Sequence, residues 1–211
     1  MAAMIGGVDD GVGEVLNELE RQGCRDNTLI FFQSDNGPSR ETRNWLDGTP
    51  DPYYGGTSGG LKGHKFSLFD GGIRVPALMS WPAAFDGPRV IREPAIGMDL
   101  FPTILDAAGI DASEYELDGL SVLPMVTSGE PSPHEELFWE LMGQTAIRRG
   151  DWKLVLHGQL VENEQPTDDV HLANLRDDFS ESHNLASDHP DLVDDLSRAA
   201  LRWRHQVEVR W

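Results

Sequence analysis

The sequence predicts an α/β chain, and three observations carry that prediction. Ile5, Val8, Val12, Val15, Leu16 and Leu19 recur at helical spacing near the N-terminus. An unbroken apolar run, Leu29-Ile30-Phe31-Phe32, follows, as in a strand of a parallel sheet covered on both faces. Four short strand-like runs and an amphipathic helix close the chain, which predicts a small antiparallel sheet beside a C-terminal helix.

The elements follow in order. The first helix starts almost at residue one, and Gly23 is its expected stop. Asp26-Asn27 turns the chain into a strand over residues 28–34, giving half of a parallel α/β unit. Residues 37–60 read as a long loop, with Pro38, Pro50, Pro52 and Gly55-Gly56; such loops inside compact domains are uncommon and often functional. A second buried strand is expected over 75–81. A short helix is expected over 99–109, with Asp99 as N-cap, Pro102 in the first turn and Gly109 at the end. The breaker-rich segment TSGEPSP, residues 127–133, marks a boundary. It divides an α/β core portion, 1–130, from a small C-terminal subdomain, 131–211. In the latter, strands are expected over 137–141, 145–149, 152–157 and 170–175, with a hairpin at Arg149-Gly150-Asp151. The last helix should run from residue 190 to about 206, with Leu192, Leu196, Ala199 and Trp203 on its apolar face.

Composition narrows the function classes. There are 36 acids against 17 bases, a formal net charge of -19. Nucleic-acid binding needs clustered Lys and Arg, so this balance argues against nucleic acid as a partner. No apolar run approaches the roughly 18 residues of a membrane span. The N-terminus lacks the basic and apolar pattern of a signal peptide, which leaves localisation open. Cys24 is the only cysteine, so no intrachain disulfide or Cys-rich zinc site can form.

Chemistry-bearing residues gather between 28 and 76. Asp35-Asn36-Gly37 stops the apolar strand abruptly, and ligands of open α/β sheets sit beyond the carboxyl ends of strands. A carboxylate and an amide carbonyl are hard oxygen donors suited to Ca²⁺ or Mg²⁺, although an Asx turn before Gly37 is the commoner use of such a pair. Calcium takes roughly six to eight oxygens, so two residues give part of a cage. The segment GGLKGHKFSLFDGGIRVP holds Lys62 and Lys65, two of only three lysines; the third is Lys153. An ammonium there can hold an oxyanion. Together these residues suggest a metal-assisted site for a sulfate or phosphate ester.

The ordered set DNTLIFFQSDNG, GGLKGHKFSLFDGGIRVP, SWP, MDLFPTILDAAGI, LDGLSVLP, IRRGDWKLVL and NLRDDFSESHNLA resembles the sulfatase family, within the alkaline-phosphatase-like superfamily. The resemblance covers nearly the whole chain. It implies the C-terminal part of an alkaline-phosphatase-like parallel-sheet sandwich, plus the family's small closing subdomain. It implies hydrolysis of a sulfate ester, with Asp35 and Asn36 as ligands of a divalent cation and Lys65 on the sulfate. Calcium is the expected ion and magnesium the alternative. The family's nucleophile is a formylglycine made within a Cys/Ser-x-Pro-x-Arg motif. Cys24 is followed by Arg25-Asp26-Asn27, and Asn36 stands where Pro38-Ser39-Arg40 would require Cys or Ser. The chain is therefore expected to be a fragment partnered by a missing N-terminal half, which would hold the nucleophile and the other acidic ligands. A catalytically inactive relative or interaction domain is the first alternative, and a phosphoester hydrolase of the same superfamily the second.

The remaining candidates have plainer expectations. Lys62 reads as structural or surface. His64 is not fixed by the family motif. Asp70 and Arg74 are expected to form a buried structural pair or loop anchors. Trp81, Trp139, Trp152 and Trp203 read as core, and His134, His157, His171, His183, His189 and His205 match no ligand spacing.

Overall fold

The computed structural model describes residues 2–41, 53–162 and 164–210. The expected loop over 37–60 thus falls partly outside the described residues, Pro50 and Pro52 with it. Five α-helices are described: α1 (Ala2–Arg21), α2 (Asp70–Ile73), α3 (Leu100–Ala107), α4 (Leu123–Ser128) and α5 (Pro190–Arg210). The strands are β1 (Ile30–Gln33), β2 (Arg40–Glu41), β3 (Tyr53–Tyr54), β4 (Ala77–Ser80), β5 (Glu136–Leu141), β6 (Gln144–Arg149), β7 (Trp152–Gly158) and β8 (Asp168–Asn174). They form two compact units. One holds residues 33–77 and 136–211, and the other residues 2–32 and 78–135. Residues 33–77 thus group with the C-terminal segment, which the expected division at residue 130 did not anticipate.

In the unit of residues 2–32 and 78–135, α1 ends before Gly23, which takes φ +70°, the left-handed geometry of a helix stop. β1 and β4 pair with each other. The burial on both faces expected of β1 fails, with Phe32 47% exposed, and the second strand is buried only in part, with Leu78 66% exposed. Asp99 does not cap α3 through its side chain. It is buried instead, accepting from the backbone N–H groups of Ile96 (2.9 Å) and Leu120 (3.0 Å), with His134 Nε2 at 2.8 Å. α4 was not expected from the sequence; Pro124 sits in its first turn and Gly129 ends it at φ +75°. Val122, Met125 and Val126 make a small core there with Met79 and Phe85.

In the other unit, β5, β6, β7 and β8 form an antiparallel sheet in sequence order, as expected. Met142 and Gly143 both have positive φ, the conformation of a tight two-residue hairpin turn. Side chains alternate between the two faces. Ile147, Leu154, Leu156 and Leu172 pack against Leu196, Ala199 and Ala200 of α5. Phe138 stacks on Trp203 with ring centroids 5.2 Å apart. The opposite face carries Ala146 and Val155, which pack against Leu68 and Phe69. Lys153, two residues from Val155, and His171, its partner across the strands, belong to this second face. The sheet therefore has a dry helical side and a side that receives the loop leading to α2.

Candidate functional site

Asp35 and Asn36 follow β1 after a single residue, Ser34. Asp35 is exposed and Asn36 half-buried. The Ser34 hydroxyl donates to the Asn36 carbonyl, and Asn36 Nδ2 donates to the Gly37 carbonyl at 2.9 Å. Gly37 is the anchor. Its N–H donates to the Gly72 carbonyl at 2.8 Å, and an added Cβ would lie 1.8 Å from the Gly71 carbonyl oxygen. Only glycine permits that approach. One residue on, the Pro38 carbonyl accepts the backbone N–H of Lys65 at 2.9 Å. The structure thus ties the Asp35-Asn36 turn and the Lys65 segment together through two backbone hydrogen bonds. Lys65 is half-buried, with Nζ 5.5 Å from the centre of the Phe66 ring.

The segment bearing Lys65 rests on buried polar groups. Gln144, fully buried, donates from Nε2 to the Phe66 carbonyl at 2.8 Å. Its Oε1 accepts from the N–H of Gln159 at 2.9 Å and faces the N–H of Leu68 at 3.4 Å. Lys153, with its side chain 0% exposed, reaches Asp70 Oδ1 at 2.6 Å and Glu181 Oε1 at 3.0 Å. Glu181 Oε2 in turn accepts the N–H of Asp70 at 2.6 Å. Arg74 pairs with Asp70 at 3.5 Å, as expected, but 56% of its side chain is exposed, and the buried counterion is Lys153. Burial pushes the Glu181 carboxyl above the ordinary glutamate value, against the pull of Lys153 and with reinforcement from Asp70.

Lys62 is built in as well. Its Nζ lies 4.4 Å over the Phe69 ring and 3.4 Å from His171 Nδ1, while Asp168 lies 3.1 Å from the same nitrogen. Burial lowers the Lys62 proton affinity, with Asp168 and Glu181 opposing. Burial likewise lowers that of His171, against its bond to Asp168. His64 is lowered by burial and by the charge of Arg40. All three lysines of the chain therefore serve the 62–73 segment. The half-buried Trp139 packs on Leu68 and Phe69, and Trp152 lies edge-on to His189 at 4.9 Å, in keeping with core or near-core roles.

Sequence reasoning missed Gln144, Lys153, His171 and Glu181. One signal existed for Lys153: a lysine in the apolar strand WKLVL, in register with Val155, needs buried acids. Glu181 gave none, because it stands among exposed polar residues. It takes φ +50° in a turn fastened by Asp178, which accepts from Ser180 and from the His183 N–H. Burial opposes ionisation of Asp178, yet these bonds hold it at about 2.

By donor chemistry Asp35 and Asn36 fit a hard divalent cation. Among the described residues no three His, Cys, Asp or Glu side chains gather into a metal cage, so the pair could form only part of one.

Comparison with known proteins gives a consistent answer. Residues 1–110 match the sulfatase family, and residues 63–205 match the family described as N-sulphoglucosamine sulphohydrolase, C-terminal. Arylsulfatase A of Bos taurus is 31% identical over 222 residues, 96% of this chain and 41% of that protein. Steryl-sulfatase of Mus musculus is 36% identical over 133 residues, 62% of this chain and 21% of that protein. The crystal structure of Ps i-CgsB superposes with a TM-score of 0.75 at 31% identity, covering 95% of this chain and 41% of that one. The chain spans less than half the length of these relatives.

Proposed function

The chain belongs to the sulfatase family, and from that premise we propose that it supplies one part of a sulfuric ester hydrolase site. The observation that carries this reading is the pair of backbone bonds joining the Asp35-Asn36 turn to the Lys65 segment. In the proposed site Lys65 holds an anionic oxygen of the ester through a charge-assisted hydrogen bond. The ammonium stabilises charge that develops there as the ester bond breaks. Asp35 and Asn36 offer oxygens to a divalent cation, calcium being the ion the family resemblance implies and magnesium the alternative. A bound cation would polarise the ester's anionic group. No Cys/Ser-x-Pro-x-Arg sequence occurs in the chain. The attacking group and the other cation ligands are proposed to come from further polypeptide of the kind the relatives carry outside the matched region.

Calorimetric titration tests the reading. Sulfate should bind the chain in the presence of calcium. Lys65→Ala should weaken sulfate binding about tenfold or more, the loss expected for one charged hydrogen bond. Asp35→Ala should weaken calcium. An unchanged sulfate affinity in Lys65→Ala would remove the assignment. Turnover of an aryl sulfate by this chain alone, abolished by Lys65→Ala, would show that the nucleophile lies within it and overturn the division of labour.

A further inference from the structure

Phe66, next to Lys65, has φ +72°, a left-handed backbone conformation that a bulky aromatic residue rarely adopts. Such strain persists only where the surroundings over-determine it. Here the surroundings can be named. The Phe66 carbonyl is captured by Gln144 Nε2 at 2.8 Å, and Gln144 is 0% exposed. The oxygen of the same amide accepts from Gln159 and faces the N–H of Leu68 two residues beyond Phe66. On the other side of Lys65, its own N–H is fixed to Pro38 and the His64 N–H to the Leu160 carbonyl at 3.0 Å. Gln144 opens β6, so the amide is held by the first rung of a sheet edge-locked to β5 and β7.

We propose that Gln144 is a positioning residue: its buried amide holds the left-handed turn at Phe66 and so fixes where Lys65 presents its ammonium. The proposal rests on the reading of Lys65 as an anion ligand but concerns a residue that touches no ligand itself. A buried amide suits the task because it offers donor and acceptor at once, and each is used. Without the donor, the Phe66 carbonyl loses its partner and the turn can relax toward ordinary backbone, carrying Lys65 with it. Asp70, Lys153 and Glu181 hold the far end of the segment independently, so the release is local.

With three lysines in the chain, amine acylation read by mass spectrometry follows each one. The wild-type chain is labelled at low concentration in sodium sulfate and, as control, in sodium chloride of equal ionic strength. Sulfate should slow the labelling of Lys65, and Lys153 should stay unlabelled. In Gln144→Met, Lys65 should label about fivefold faster or more, the population change that releasing such backbone strain permits. Its protection by sulfate should be lost while Lys153 stays silent. Gln144→Glu keeps the accepting oxygens but lacks the amide donor at neutral pH, and should behave the same way. Wild-type labelling and protection of Lys65 in both variants would overturn the proposal. So would labelling of Lys153 in both, since Gln144 would then hold the core and not the turn. If sulfate fails to protect wild-type Lys65 while the variants still release it, the positioning role stands and the anion-ligand reading falls.

Discussion

Two amphipathic helices of this chain have opposite fates. α5 lays Leu196, Ala199 and Ala200 against the antiparallel sheet, and Leu196 is completely buried with Ile147, Leu154 and Leu172. α1 carries an equally regular apolar stripe but buries none of it fully: Leu16 and Leu19 are half-buried, and Met4, Ile5, Val8 and Val15 are all more than half exposed. Burying a valine or leucine is worth about 1.5–3 kcal/mol, so the stripe of α1 forgoes a stabilisation that α5 collects. Periodicity reports that a face needs cover. It does not report whether the cover lies in the same chain. The C-terminal sheet and helix bury their apolar faces against each other, whereas Val8 on α1, Phe32 on β1 and Leu78 on β4 stay exposed among the described residues.

The sharpest test of that contrast lies beneath the sheet's loop-bearing face. Lys153→Met removes the buried counterion of Asp70 and Glu181 and should cost about 3–5 kcal/mol in denaturant unfolding followed by tryptophan fluorescence. Arg21→Met breaks the exposed pair with Glu18 on α1 and should leave the transition in place. A Lys153→Met loss below about 1 kcal/mol would mean that the network contributes little. Next in size is the apolar pair of substitutions. Leu172→Ala should cost about 2–5 kcal/mol, whereas Val8→Ala should stay within about 0.5 kcal/mol. Equal losses would erase the distinction between the two regions.

The uncovered stripe should also show in solution. Large apolar patches promote association, and the charge of -19 opposes it. Screening shortens that repulsion to about 10 Å at 0.1 M salt. Light scattering should therefore rise with concentration and with moderate salt, and Val8→Glu with Val15→Glu should suppress the rise. A monomer throughout would show that α1 needs no cover.

The smallest effect is a pH slope. Burial lowers the His171 proton affinity, so the folded state binds fewer protons than the unfolded chain just below the ordinary histidine value. Its contribution is present above that value and is lost as pH falls toward the lowered one. Glu181 works with the opposite sign, its contribution fading as pH rises through its elevated value. His171→Gln should flatten the acid-side slope of stability against pH. Asp168 and Lys62, which face the ring, should be left in place for the comparison. An unaltered slope would assign it elsewhere.

What the sequence made legible follows from the range of the physics. Helices α1, α3 and α5 and the four-stranded sheet were readable because apolar period and turn chemistry act over a few residues. Asp35, Asn36 and Lys65 stood out because polar groups interrupt an apolar or glycine-rich pattern. The double-sided burial expected of β1 was misjudged, because a strand's neighbours are not written in its own residues. Lys153 could be suspected as a charge inside the apolar strand WKLVL, but its partners could not, and Gln144 and Glu181 were illegible for a related reason. These two meet Phe66, Asp70 and Lys153 across tens of residues, and nothing local distinguishes them from surface polar groups.

The joint at Gly37 has a consequence for how this site can be lost. An added Cβ would meet the Gly71 carbonyl at 1.8 Å, while the antiparallel sheet and α5 do not depend on that joint. Every single-base change in a glycine codon that alters the residue introduces a Cβ or a stop. A lineage released from selection would therefore be expected to part Asp35 and Asn36 from Lys65 here, one codon at a time, while still making a well-folded C-terminal sheet. Gly37 is thus a position where one base change can undo the joint and leave the rest of the fold standing.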